Sequence, residues 1–288
     1  METVDLHIHT TASDGRLTPT QMVRFLARQG LKVVSITDHD TVDGLAEALE
    51  ASGAFPDMEL IPGVELSCDV PGSEVHLLGY FVDYRDMQFL RVLERFRNGR
   101  VIRAKLMLEK LASMNMKVEW ARVAELAGDG AVGRPHIAQA MVEKGYVASF
   151  REAFDKYIGR NGPAYVEREK LTPVDAVRLI SRVGGVAVLA HPRDIPCLTS
   201  TIWELLPEGL AGMEVYYGDY SGDTVRSLKQ IADTFALVPC GGSDYHALNV
   251  PGEVLPGTVG PPMESVLALK RLWEERSQAQ AAARRSKG

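Results

Sequence analysis

The sequence predicts an α/β fold whose largely parallel sheet can close into a barrel, interrupted by a helical insertion. Three observations carry this. Short β-branched runs alternate with helical patterns over much of the chain. That rhythm stops between about Asp86 and Tyr165, where only helical patterns remain. Of the 288 residues, 45% are hydrophobic, enough for a sizeable core.

The first expected strand is Val4–Ile8. A helix over residues 20–29 follows, announced by Thr18-Pro19, which sets a capping oxygen just ahead of a proline. Next come a strand at 32–37, a helix at 42–51, and strands at 59–66 and 75–82. The insertion reads as one long helix over 88–114, then shorter ones at 119–127, 135–144 and 149–158. The α/β rhythm resumes with Thr172-Pro173 opening a helix at 173–183, followed by strands at 186–190 and 212–216, a helix at 224–234 and a strand at 236–240. From Ser277 the tail is Ala/Gln-rich and then basic, the pattern of a fraying helix. The expected division is a body of residues 1–85 and 166–288, with residues 86–165 laid over one end of it as a lid.

Charge and cysteine content narrow the function classes. A net charge of −6 argues against a surface built to trap long nucleic acid or a DNA duplex. A small anionic substrate remains compatible, because bound metals supply positive charge that a formal count omits. Cys68, Cys197 and Cys240 are widely spaced and form no CxxC pair, against both a disulfide framework and a thiolate zinc site. A strand-like run from Thr3 leaves no room for a signal peptide, and no apolar run approaches the ~20 residues that span a bilayer. The expected location is the cytoplasm, with no membrane contact and no obligate protein partner evident.

Six of the seven histidines fall in or just after strand-like runs. In Val4-Asp5-Leu6-His7-Ile8-His9, alternation sets Val4, Leu6 and Ile8 on one face and both imidazoles on the other. Two imidazoles at i and i+2 can chelate one ion; the plainer reading is a half-buried strand with two histidines facing water. Asp14 follows in the turn Ser13-Asp14-Gly15. Thr37-Asp38-His39-Asp40 ends the next strand, and polar groups there are costly to bury unless something binds them. A helix cap at Asp40 or Thr41 would explain Asp40 but not His39. Glu65 and His76, taken singly, could be satisfied polar residues at a sheet rim. His191 closes the apolar run at 186–190, and Asp244-Tyr245-His246 supplies a second i, i+2 pair. At least five strands thus deliver His, Asp or Glu at or near one end, where parallel α/β folds build their sites. Imidazole and carboxylate without thiolate suit Mn, Fe or Zn, and nine donors fit two or three divalent ions better than one.

These motifs (HxH, then TDHD, then a lone His, then DxH) resemble the PHP (polymerase and histidinol phosphatase) family, over His7 to His246. The resemblance implies an irregular (β/α)7 barrel with a helical insertion, holding up to three metals at its C-terminal face. It implies a first ion on His7, His9, Glu65 and Asp244, a second on Asp14, His39 and His246, and a third on Glu65, His76 and His191. Mn2+ is the expected metal, with Fe2+ or Zn2+ as alternatives. Within the family, the insertion and the text Thr10-Thr11-Ala12-Ser13-Asp14-Gly15 look most like the stand-alone bacterial branch of 3′,5′-nucleoside bisphosphate phosphatases and 5′–3′ exoribonucleases.

The implied chemistry is phosphate ester hydrolysis by a metal-bound hydroxide held by Glu65, Asp14 and their neighbours. No residue nucleophile is evident: no cysteine has a following arginine loop, and no strand ends in DxDxT. Expected substrate contacts are Gly15, Asn98, Arg100, Arg103, Arg134 and His136, with His136 also a candidate acid. Arg97 shares the long helix, where Arg91, Arg95 and Lys110 read as a solvated basic face. Gly133-Arg134-Pro135-His136 opens another helix, whose free N–H groups favour an anion. The leading expectation is a phosphatase removing the 3′-phosphate of nucleoside 3′,5′-bisphosphates such as adenosine 3′,5′-bisphosphate. Alternatives are an exoribonuclease on short RNA, a histidinol-phosphate phosphatase, a C–N hydrolase, and a non-catalytic module attached to a polymerase.

Overall fold

The computed structural model describes residues 3–70, 73–128, 130, 132–167 and 171–285. Strands β1 (Val4–Ile8), β2 (Val33–Ile36), β3 (Glu59–Val70), β4 (Ser73–Tyr80), β5 (Val186–Leu189), β6 (Leu210–Tyr217) and β7 (Val238–Gly242) pair in chain order. The sheet curls until its edges meet. Ile8 bridges Tyr245 just past β7, the His9 N–H donates to the Tyr245 carbonyl at 3.0 Å, and the Asp244 N–H donates to the His7 carbonyl at 2.9 Å. The result is a nearly closed seven-stranded barrel.

Helices α1 (Pro19–Arg28) and α2 (Leu45–Ser52) follow β1 and β2. Helices α3 (Met87–Ser113), α4 (Trp120–Ala127), α5 (Arg134–Glu143) and α6 (Phe150–Ala153, continued by a π turn over Phe154–Ile158) form the insertion between β4 and β5. Helices α7 (Pro173–Arg182), α8 (Leu198–Leu205), α9 (Gly222–Thr234) and α10 (Met263–Arg285) complete the chain. Both expected threonine caps are made: Thr18 and Gln21 form a reciprocal capping box, and the Thr172 hydroxyl accepts the Asp175 N–H at 3.1 Å. No helix among the described residues is long and apolar enough to cross a membrane.

Every strand contributes to one apolar cluster, which gathers Val4, Leu6, Val33, Ile61, Leu78, Val186, Val188, Ala211 and Cys240. Only the inside of a closed sheet touches all its strands, so this is the barrel interior. Val266 and Leu269 of α10 join it and plug one end. A second, larger cluster lies between the sheet and helices α1, α2, α7, α8 and α9, and the insertion has a third of its own. Helix α3 spans two of these: Phe89 and Leu93 pack with the barrel, while Ala104, Met107, Leu108 and Leu111 build the insertion core.

Several local expectations need adjustment. The sheet is largely parallel, as expected, except that β4 runs antiparallel to both β3 and β5. His76 therefore reaches the site end from the first half of its strand and Glu65 from the middle of the long β3, whereas β1, β2, β5 and β7 deliver their donors at or just past their C-terminal ends. Ile8 leaves Val4 and Leu6 for the outer cluster, because the β1–β2 register shifts between Asp5 and Ile8 and breaks the alternation. Helix α2 starts at Leu45, since Asp40 and Thr41 are spent on loop contacts and do not cap it; the Thr41 hydroxyl instead accepts the Asp43 N–H at 3.1 Å. The tail extends a helix that already began at Met263, with its first half built into the barrel.

Candidate metal centre

At the mouth opposite α10 the nine expected donors converge. Glu65 sits in the middle, 1% exposed. Its Oε2 lies 3.2 Å from His7 Nε2, 3.2 Å from His9 Nε2 and 3.0 Å from His39 Nδ1. Its Oε1 lies 2.7 Å from His76 Nδ1 and 3.2 Å from His191 Nε2. Asp244 Oδ1 is 2.9 Å from His9 Nε2 and 3.3 Å from His7 Nε2, and Asp14 Oδ1 is 3.3 Å from His246 Nε2. Three sets of donors lie mutually within 4.8 Å: His7, His9, Glu65 and Asp244; His9, Asp14, His39 and His246; and His39, Glu65 and His76. The first matches the expected set. The second adds His9, and in the third His39 joins Glu65 and His76, with His191 3.2 Å from His76 Nδ1.

Hydrogen bonds account for part of this cluster, such as those between Glu65 and His7, His76 and His191, but not for all of it. Both ring nitrogens of His9, His39 Nδ1 and Asp14 Oδ1 are buried without a hydrogen-bond partner. Each such group costs about 1–3 kcal/mol if left unsatisfied. Donor atoms that converge within reach, yet are not aimed to share protons, fit cations between them. The donor chemistry agrees, being imidazole and carboxylate with no thiolate.

Backbone geometry shows the same concentration. His191, Asp40 and Asp244 hold φ values of 28°, 52° and 55°, a left-handed region that costs about 1–3 kcal/mol for such residues and collects at functional sites.

A sequence model of the PHP domain matches residues 5–159. The chain is 33% identical over 263 residues to a 3′,5′-nucleoside bisphosphate phosphatase of Chromobacterium violaceum, covering 88% of this chain and 89% of that one. It is 32% identical to the 5′-3′ exoribonuclease Rnm of Salmonella typhimurium, covering 84% of each. A solved structure from Chromobacterium violaceum, described as an amidohydrolase with bound sulfate and no metal, superposes with a TM-score of 0.84 at 31% identity, covering 95% of this chain and 96% of that one. The chain belongs to the PHP family. It is a metal-dependent phosphoesterase of that family.

The electrostatics of this PHP centre follow from burial and crowding. Burial works against a charged His7 and His9, but Asp244, Glu214 and Glu65 outweigh it at His7, holding it well above its ordinary value, and Asp244 and Glu65 do so at His9, raising it to about 10. His191 and His246 are raised in the same way by neighbouring carboxylates, against burial. Glu65, Asp14 and Asp244 are held well below the usual carboxylate range: burial pushes each up, and the surrounding imidazoles more than reverse it. His39 goes the other way. Burial depresses it to about 3, leaving a neutral imidazole with a free lone pair.

The expected substrate residues divide. Gly15 has no room for a side chain, since a Cβ would lie 2.6 Å from the His9 carbonyl oxygen; glycine lets the Asp14 turn fold back onto β1. Arg100 docks α3 onto the mouth. Its Nε and one terminal nitrogen donate to Asp40 at 2.9 and 2.6 Å, and that nitrogen also donates to the Ser67 hydroxyl at 2.9 Å. Asp40, rather than capping a helix, also accepts the Ser67 N–H at 2.9 Å, so it ties β2, β3 and α3 together. Arg103 is buried one turn along α3, and exposed Asn98, two residues before Arg100, lies on another side of that helix. Arg97 pairs with Asp43. Arg134 lies over the rings of Phe154 and Tyr165, at 5.5 and 5.8 Å from their centroids.

His136 Nδ1 accepts the Gly133 N–H at 2.9 Å, so the ring proton belongs on Nε2. Burial, aided by Arg16 and Arg100, lowers its pKa and keeps it neutral near pH 7. It is placed to donate a hydrogen bond through Nε2 more than to act as a strong acid. The turn before α5 packs hard on the Asp14 loop, because a Cβ on Gly130 would lie 2.3 Å from the Thr11 carbonyl oxygen.

Sequence reading missed the residues behind the donors. Asp38, 2% exposed, takes the Thr10 N–H, the Thr10 hydroxyl and the Ser13 hydroxyl at 2.6–2.7 Å, which fixes the loop carrying Asp14. Asp5 accepts the His7 and Ser243 N–H groups at 3.3 and 3.0 Å and so laces β1 to β7. Glu214 and Tyr217 of β6 touch His7 and Asp244. Arg16, whose guanidinium donates to Gln139 of α5 at 3.1 Å, adds a cation at the rim. Two signals were available: Asp38 within the polar strand end Thr37-Asp38-His39-Asp40, and a lone acidic residue in the apolar run of β6, Gly212-Met213-Glu214-Val215.

Proposed function

We propose that this PHP enzyme removes the 3′-phosphate of nucleoside 3′,5′-bisphosphates, such as adenosine 3′,5′-bisphosphate, giving the 5′-monophosphate and inorganic phosphate. The observation that carries the reading is a second anion-compatible feature beside the donor cluster. The N-terminus of α5, with Arg134, His136 and nearby Arg16, packs against the loop that bears Asp14. A site that works on one phosphate and grips another suits a bisphosphate. The similar Chromobacterium violaceum protein carries the matching name.

In this reading His7, His9, Glu65 and Asp244 hold one ion, and Asp14, His39 and His246 hold a second. Glu65, His76 and His191 hold a third, with Mn2+ first choice and Fe2+ or Zn2+ as alternatives. Bound divalent ions supply Lewis acidity toward phosphoryl oxygens and activate water near neutral pH. The chain does the rest. Arg134 and the α5 amides take the distal phosphate, and the His136 Nε2–H donates to the substrate. The insertion, residues 86–165, serves as the lid of a barrel formed by residues 1–85 and 166–288.

A second reading, 5′–3′ exonuclease action on short RNA, draws support from the Rnm relative at 32% identity. C–N hydrolysis has less support, because the sequence sets no lysine at the end of a strand that carries one of the motifs. The test is phosphate release from Mn2+-loaded protein on adenosine 3′,5′-bisphosphate, simple monoesters, histidinol phosphate and a short 5′-phosphorylated RNA. The bisphosphate is expected to be preferred. Bisphosphates no better than simple monoesters would overturn the reading, and mononucleotides released from the RNA in preference would establish the alternative.

A further inference from the structure

Strand β6 contributes none of the nine expected donors, yet two of its side chains reach the cluster. Glu214, fully buried, lies with Oε1 3.1 Å from His7 Nδ1 and accepts the His191 N–H through Oε2 at 2.8 Å. Tyr217 donates its hydroxyl to Asp244 Oδ2 at 2.7 Å. In a regular strand, residues three apart point to opposite faces. The β6–β7 register shifts between Glu214 and Tyr216, and that irregularity turns both Glu214 and Tyr217 toward the mouth.

We propose that β6 is the positioning strand of the metal centre, with Glu214 orienting His7 and the His191 turn, and Tyr217 orienting Asp244. This rests on the reading that ions occupy the cluster. With Nδ1–H given to Glu214, His7 carries its lone pair on Nε2, which faces Glu65 Oε2 at 3.2 Å and Asp244 Oδ1 at 3.3 Å. The proton on the far nitrogen and the lone pair toward the carboxylates is the tautomer a metal ligand requires. The second contact of Glu214 restrains a residue in a costly conformation, since its hydrogen bond to the His191 N–H holds that backbone at φ 28°. Tyr217 acts likewise on the opposite carboxylate. By occupying Asp244 Oδ2 it leaves Oδ1 to face His7 and His9. Its ring also lies tilted against those of His191 and His7, with centroids 5.5 and 6.2 Å apart, so β6 walls the His7 side of the cluster.

The test uses the full chain loaded with Co2+, whose visible absorption reports ligand geometry, in Glu214→Gln and Tyr217→Phe. Outer partners of this kind typically change metal affinity by about 10–100-fold. Glu214→Gln is expected to weaken Co2+ binding within that range by chelator competition and to shift the visible bands, because an amide cannot match both contacts. Tyr217→Phe keeps the ring and its packing, so it decides the matter should Glu214→Gln fail to fold. It is expected to weaken binding less and still alter the spectrum. Folded variants with parental Co2+ affinity and parental spectrum would overturn the assignment of β6. Wild-type protein that takes up no Co2+ would instead overturn the functional reading beneath it.

Discussion

Arg100 and Asp40 show how one pair of side chains connects the insertion to the metal mouth. The pair is almost fully enclosed, at 8% and 2% side-chain exposure, and Asp40 is the immediate neighbour of His39. Removing one partner from a buried pair strands the other charge and costs about 3–5 kcal/mol, whereas an apolar residue of similar volume can be near neutral once both charges are gone. Arg100→Ala is therefore expected to lower unfolding free energy by that amount in denaturant titrations. The double variant Arg100→Met with Asp40→Asn should recover much of it. Activity should fall further than stability explains, because Asp40 anchors the turn holding His39. A double variant no more stable than Arg100→Ala would show that the pair is not the source of the effect. At this scale most of the nine candidate donors stood out as ligating residue types in or just after apolar runs, and Asp14 as one in the turn that follows the first of them. The role of Arg100 was not: an arginine on a polar helix face reads as an anion clamp until its carboxylate partner is placed in space. Glu214 and Tyr217 were hidden for another reason, since a register shift decides which way they point and leaves no mark in sequence.

Strand β7 ends in Gly241-Gly242, and both positions are closed to a side chain. A Cβ on Gly241 would fall 1.8 Å from the Tyr216 carbonyl oxygen, and one on Gly242 would fall 2.5 Å from the His7 nitrogen. These glycines let β7 press against β6 on one side and β1 on the other, which closes the barrel where the donors sit. Gly242→Ala should cost about 1–3 kcal/mol by overpacking and should weaken metal binding, because the atoms that must move belong to His7. Gly99 is the contrast. It sits inside α3 with nothing within 4 Å of the place a Cβ would take, so Gly99→Ala should stabilise by about 0.5–1 kcal/mol. Thermal melts of the two variants with and without Mn2+ check both directions. Equal effects would show that closure at Gly242 is not tight. Strand and helix order were readable from periodicity, but the direction of β4 was not. Runs at 59–66 and 75–82 fit either orientation, because alternation along a strand carries no sense of direction. Helix α10 did leave a signal that went unread, since Met263, Val266, Leu269, Leu272 and Trp273 recur at helical spacing and all pack on the barrel.

Across the whole molecule, protons and cations compete for one buried cluster, and this gives stability an unusual pH dependence. Without metal, His7, His9, His191 and His246 hold protons more tightly in the folded chain than in the unfolded one. Their contribution is complete below the unfolded value of about 6.5 and is lost as pH rises toward the folded values, about 10 for His9. Between those limits the folded state binds more protons, so stability falls as pH rises. Glu65, Asp14 and Asp244 act at the other end, with stability present above the unfolded carboxylate range and lost as pH falls through their depressed folded values. Metal reverses the upper slope. Each ion must displace protons from the imidazoles, so its affinity grows with pH, and binding at 100 times Kd adds about 2.7 kcal/mol per site. Chelated protein should therefore melt at progressively lower temperature from pH 6.5 to 9, while the gap between Mn2+-loaded and chelated melting temperatures widens over the same interval. Calorimetric titration with Mn2+ in two buffers of different ionisation enthalpy should give different heats, reporting the released protons. A gap that stays constant with pH, together with buffer-independent heats, would mean that the imidazoles enter folding already neutral and that the carboxylates alone set the charge of the mouth.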